Sequence, residues 1–240
     1  MKSLGNGPIL YLILVSSSLV CTGTTVFYDG FNANTTGDYS WVEGGGYSDA
    51  NPTNNYFHDA SNGWVTVSTG DWIDISMSAS LFSPIYRGSL EVRFMPWQIH
   101  PLDGLARIRV RDNAGNSYLF HFAHNSGRPN AGDEEQYRAR LEKEVSGSLV
   151  IREVFIPSPD HYSLNEWHTL KMDFSPTTLS GYLDGNLIIS REEPAASAIP
   201  ISDLQISFFQ QDQHIDYVSM IDMTRPPVAV TYPAREINQA

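Results

Sequence analysis

From residue 165 to residue 190 the chain reads NEWHTLKMDFSPTTLSGYLDGNLIIS. Leu170, Met172 and Phe174 alternate with Lys171 and Asp173, the period of two that lines apolar side chains along one face of a strand. Ser175-Pro176-Thr177-Thr178 interrupts the run, residues 179–183 resume it, and Asp184-Gly185 precedes Leu187, Ile188 and Ile189. Asp-Gly between such segments predicts a tight hairpin, because positive φ is free for glycine and tolerable for aspartate. Similar segments predict strands at residues 25–32, 64–68, 72–77, 89–94, 105–111, 117–123, 137–145, 148–156, 166–174, 178–183, 187–190, 204–210 and 215–221. Asn113-Ala114-Gly115-Asn116 and Ser146-Gly147 supply turns. Residues 34–57, rich in Gly, Asn, Asp, Ser and Tyr, carry little periodicity and read as one long loop. No segment sustains a helical period. The pattern is that of an all-β sandwich or barrel.

Composition narrows this further. With 240 residues, 41% hydrophobic and 12% aromatic, the chain can fill the core of one large β-domain. A formal charge of −12 argues against a nucleic-acid partner, since phosphate contact needs a positive surface. Lys2, an apolar run over residues 8–20 and then small residues make residues 1–23 read as a secretory signal. The run is short for a membrane span, which takes about 20 residues. An uncleaved membrane anchor, or a lipid anchor on Cys21, is the alternative reading. Residues 24–222 are then the folded domain, and residues 223–240, with Pro226-Pro227, a linker or tail. Cys21 is the single cysteine, so the domain has no disulfide. The expected location is secreted, extracellular or at the cell surface.

Four segments carry a family resemblance. They are Trp167 to Phe174 with the pattern WHxLxxxF, Gly181 to Leu187 with GYLDGxL, and the pairing of Phe27-Tyr28-Asp29-Gly30-Phe31-Asn32 with Ile215-Asp216-Tyr217-Val218 at the two ends. They resemble the concanavalin A-like lectin/glucanase superfamily, including laminin G-like modules. The resemblance implies an antiparallel jelly-roll β-sandwich of two large sheets, one of them concave. It also implies a structural calcium site where the terminal strands meet, with Asp29, Asp216 and Asp222 as candidate ligands. Family-16 glucanases of this fold carry an E-x-D-x-x-E strand. The nearest segment here is residues 71–77, where Asp74 matches the central aspartate while Trp72 and Met77 stand where the two catalytic carboxylates belong.

The other notable pattern is basic. If the strands that hold them are neighbours, Arg93, Arg107, Arg109, Arg111, His121, Arg138 and Arg140 share one solvent face, in a chain with only 15 Lys and Arg. Guanidinium forks suit carboxylates, so a polyuronate is one candidate ligand. The competing reading is a charged ladder that pairs with Glu91, Glu142, Glu144 and Glu153. Arg93 and Gln98-Ile99-His100 loosely resemble jelly-roll alginate lyases. That likeness implies His100 or His121 as base, Gln98 or Arg109 as neutraliser of the sugar carboxylate, and Tyr118 or Tyr137 as acid. The R-x-E-x-R strand and the tyrosine motif of those lyases are absent. Tyr39, Trp41 and Tyr47 in the long loop, and Trp97 between prolines, are candidates to stack on sugars. Trp64, Trp72 and Trp167 read as core or sheet-edge packing residues. His121 and His124 lack a third ligand for zinc.

These observations point to a secreted, non-catalytic module that binds a polysaccharide or glycoconjugate. Two other readings stay open: a polysaccharide lyase or glycoside hydrolase acting on an anionic polysaccharide, and an adhesive or structural surface module.

Overall fold

The Asp184-Gly185 turn forms with φ of 51° and 76°, both in the left-handed region that the hairpin requires. Asp184 braces it by accepting the backbone N–H of Thr169 at 2.7 Å, while its other oxygen lies 2.8 Å from Nδ1 of His168. A computed structural model describes this hairpin and residues 23–32, 34, 36–44, 56–59, 61–67, 74–99, 104–124, 139–155, 163–192, 199–209 and 211–224.

The strands are β1 (Thr24–Asp29), β2 (Ser40–Gly44), β3 (Tyr56–Asp59), β4 (Trp64–Val67), β5 (Asp74–Ile85), β6 (Gly88–Ile99), β7 (Gly104–Arg111) and β8 (Ser117–His124). They continue with β9 (Ala139–Val145), β10 (Ser148–Phe155), β11 (His168–Phe174), β12 (Thr178–Leu183), β13 (Asn186–Glu192), β14 (Ile201–Phe209) and β15 (Gln211–Asp222). They form two antiparallel sheets. The eight-stranded sheet runs β13-β12-β11-β6-β15-β4-β3, with β1 also paired to β15. The seven-stranded sheet runs β10-β9-β8-β7-β14-β5-β2. One edge of β15 is thus shared: Gln213 to Ile215 pair with β4, and Val218 to Asp222 pair with β1. Among the described residues no helix is long and apolar enough to cross a membrane.

The core lies between the sheets and follows the alternation. Leu90, Val92 and Phe94 of β6 and Leu170, Met172 and Phe174 of β11 meet Ile108, Val110, Phe120, Ile206 and Phe208 from the other sheet. Each such side chain contributes about 1.5–3 kcal/mol when fully buried. Aromatic pairs cross the interface: Phe94 and Phe208 lie 5.7 Å apart, and Tyr118 stacks on Phe174 at 5.9 Å.

The structure departs from the sequence expectation in three places. Among the described residues of the predicted loop at 34–57 lie a 3-10 turn (Thr36–Asp38), β2 and the first residues of β3. β5 continues past Met77 to Ile85 through serine-rich positions. β6 runs on through Pro96 to Ile99, so Gln98 and Ile99 are in a strand. Pro96 is tolerated there because β15 shifts register between Asp212 and Gln213, beside the residue that pairs with Pro96.

Candidate ligand-binding face

Because Ile108 and Val110 point inward, Arg107, Arg109 and Arg111 of β7 point away from the core. The register aligns them with their neighbours in three rows. Asp203, Arg111, Ser117 and Glu144 form the first; Gln205, Arg109, Leu119 and Glu142 the second; Ser207, Arg107, His121 and Arg140 the third. Charged side chains pair along and between the rows. Arg111 Nε lies 2.7 Å from Asp203 Oδ1, Arg109 Nη2 lies 3.0 Å from Glu144 Oε1, and Arg140 Nε lies 2.9 Å from Glu142 Oε1. Ser117 donates to the other oxygen of Glu144 at 2.8 Å.

This face is largely buried. His121 and Glu142 each keep only 5% of their exposure, and Ser117 and Ser207 are also buried, although all four point away from the core. Burial lowers the Arg109 pKa, opposed by Glu144 and reinforced by the like charges of Arg107 and Arg111. Burial raises the Asp203 carboxyl, against the pull of Arg111.

The structure therefore brings together Arg107, Arg109, Arg111, His121 and Arg140. Arg93 is on the other sheet, where it pairs with Asp216 at 2.7 Å. Arg138, His100 and Tyr137 lie outside the described residues, and so does the side chain of Trp41, whose backbone pairs with Met77 in β2. Tyr118 packs inward against Phe174, on the opposite face of β8 from His121, and Gln98 belongs to β6 in the other sheet. The lyase arrangement of Arg109, His121, Gln98 and Tyr118 around one point is thus not assembled. Asp29 at the end of β1 faces Val218, whereas Asp222 of β15 faces Thr24 at the start of β1, a strand length of about 17 Å away. Asp29 accepts from the Phe31 N–H and Tyr39 hydroxyl, and Asp222 from Thr224. Among the described residues no group of three or more His, Cys, Asp or Glu is placed to hold a metal ion.

The outer face of the eight-stranded sheet carries aromatic residues. His214 stacks between Trp64, 4.8 Å away, and Trp97, 6.4 Å away. Trp167 lies 5.6 Å from Trp64 and has the Arg93 guanidinium 5.0 Å above its ring. Trp97 is the exposed member at 38%. Trp64 and Trp167 pack on this outer face, against each other, His214 and Arg93, rather than in the core. The available signal was that Trp64 and Thr66 alternate with the buried Val65 and Val67.

Two stacked antiparallel sheets in this order define a concanavalin A-like jelly-roll sandwich. No protein-family model matches the chain, and no curated protein does. Solved structures do. A Bacillus licheniformis β-glucanase superposes with a TM-score of 0.53 at 15% identity, covering 83% of this chain and 98% of its own. A Bacillus subtilis protein of unknown function with a galectin-like fold gives 0.52 at 12% identity, covering 84% and 97%. The CBM2 module of the evolved Dit of Lactobacillus casei BL23 phage J-1 gives 0.55 at 13% identity, covering 84% and 97%. At such identities the likeness is one of fold.

Proposed function

We propose that this chain is a secreted, non-catalytic module that binds a hydroxyl-rich, largely uncharged glycan on the ladder face of the seven-stranded sheet. The observation that carries this reading is the pairing of guanidinium with carboxylate across this face: Arg109 with Glu144, Arg111 with Asp203, Arg140 with Glu142. Guanidinium only donates and an ionised carboxylate only accepts, whereas a sugar hydroxyl does both. A ladder that alternates the two offers each hydroxyl a donor and an acceptor side by side. Hydrogen bonds to charged groups are the stronger kind, each about 1.5–3 kcal/mol. The same pairing weighs against a polyuronate, which would meet Glu142, Glu144 and Asp203 as well as the arginines. The β-glucanase and the CBM2 module among the similar folds support a carbohydrate ligand.

The test is retention of the purified protein on a panel of neutral and acidic polysaccharides, with new chain ends scored in parallel. Retention on a neutral glycan, weakened roughly tenfold or more by Arg109→Ala, is the expected result. New chain ends would make the module an enzyme. Retention that Arg109→Ala leaves intact would move the site off the ladder. Retention that soluble sugar does not compete would favour the adhesive reading.

A further inference from the structure

We propose that a cavity on the outer face of the eight-stranded sheet binds a single acidic sugar residue, a hexuronate, through Arg87. This site is separate from the ladder and does not rest on it. The cavity holds about 500 Å³, within the range of small-molecule sites, and Arg87, Asp173, Ser175, Thr178, Ser180 and Tyr182 contribute to its walls.

The walls are formed in advance. Gly88, next to Arg87, is the register partner of both Phe174 and Asp222, and a Cβ there would collide with the carbonyl oxygen of Ile221. The Arg87 carbonyl accepts the N–H of Met223 at 3.0 Å, which fixes the backbone on that side. On the other side the Ser175 hydroxyl accepts the N–H groups of Thr177 at 3.2 Å and Thr178 at 2.9 Å, and donates to the Thr178 carbonyl at 3.2 Å. The turn between β11 and β12 is pinned by one side chain.

The charges then select the ligand. Asp173 is met by Lys171, with Nζ 3.2 Å from Oδ1, and the same ammonium lies 4.9 Å over the Tyr182 ring. Arg191 pairs with Glu153, and Arg93, Arg109, Arg111 and Arg140 are paired as described. Arg87 has no such partner among the described residues. The cavity thus joins an uncommitted guanidinium to a hydroxyl-lined wall and to a carboxylate already balanced by lysine. A hexuronate matches this: its carboxylate takes the Arg87 fork, and its ring hydroxyls donate to Asp173 and exchange hydrogen bonds with Thr178, Ser180 and Tyr182. A neutral hexose leaves Arg87 unused. A phosphate dianion has a single hydroxyl to offer Asp173, against the several of a sugar ring, and its remaining charge is repelled by that carboxylate.

Calorimetric titration of the full chain with glucuronate, glucose and inorganic phosphate tests the assignment. Glucuronate is expected to bind about tenfold or more tightly than glucose. Arg87→Ala should bring glucuronate down to the glucose level, and Tyr182→Phe should weaken both sugars alike. Arg109→Ala should leave glucuronate binding unchanged. Glucuronate that does not bind, that binds no better than glucose, or that is insensitive to Arg87→Ala overturns the proposal. Phosphate binding as tightly as glucuronate reduces the site to a plain anion contact. Loss in Arg109→Ala places the ligand on the ladder instead.

Discussion

Gly181 and Gly185 stand four residues apart on one hairpin and are required for different reasons. A Cβ at Gly185 meets nothing within 4 Å, but φ there is +76°. Gly185→Ala should therefore cost about 1–2 kcal/mol, all of it backbone strain. At Gly181 a Cβ would fall within the Phe120 ring of the opposite sheet. Gly181→Ala should cost about 1–3 kcal/mol through overpacking, and Phe120→Leu in the same chain should recover part of it. Urea unfolding midpoints of the four proteins check both statements. The Asp-Gly requirement was legible in the sequence because it is local. The Gly181 requirement was not, since nothing near it announces which ring arrives from the other sheet. His214 offers a third residue-scale expectation. Burial between two indoles lowers its pKa, with Asp59 opposing. The unfolded chain protonates near the ordinary value of 6.5 and the folded chain only at lower pH. The stability contribution is thus complete above pH 6.5 and is lost as pH falls through the folded pKa. The thermal midpoint should drop between about pH 7.5 and pH 5, and His214→Gln should shallow that drop. An unchanged slope in the variant would place the proton uptake elsewhere.

At the scale of elements, the ladder is four strands, β14-β7-β8-β9, whose alternation places one polar row after another on the same sheet face. The Arg109–Glu144 pair links β7 to β9 across β8, with each side chain 25% exposed. A double-mutant cycle with Arg109→Ala and Glu144→Ala should give a coupling of about 1 kcal/mol, the upper end for partly solvated pairs. A coupling near zero would mean that β8 alone holds the two strands in register. Alternation was enough to predict which arginines face outward. It could not show that Arg93 leaves the group, because β6 and β7 follow one another in the chain yet belong to different sheets. The outward–inward rhythm is the same on both. β2 escaped notice for a related reason. It is five residues long and, among the described residues, pairs only with β5 at a sheet edge, so its strand character comes from a partner 30 to 38 positions away.

For the whole molecule, net charge and site chemistry agree. A chain of formal charge −12 repels polyanions at long range. Binding through paired ladder charges to a neutral glycan should accordingly change little with added salt, since no net attraction is screened. Retention measured from low to high ionic strength checks this, and a steep fall would reveal an anionic ligand. The two-sheet architecture could be read from the repeated alternation and turn signals. The order of strands could not, since every pairing that defines it is long-range. That order has a consequence for how the chain is made. β14 lies inside one sheet, between β7 and β5, and β15 lies inside the other, between β6 and the shared edge of β4 and β1. Until the ribosome has released residues 201–222, the seven-stranded sheet exists as two unjoined pieces, and the eight-stranded sheet as β13-β12-β11-β6, β4-β3 and a lone β1, all with open edges. The final segment acts as a keystone for both sheets at once, which makes it a natural point for splitting the protein. A chain ending before residue 201, supplied with the missing stretch as a separate peptide, should regain its fold only when the two are mixed, and the pair would serve as a two-piece reporter of proximity.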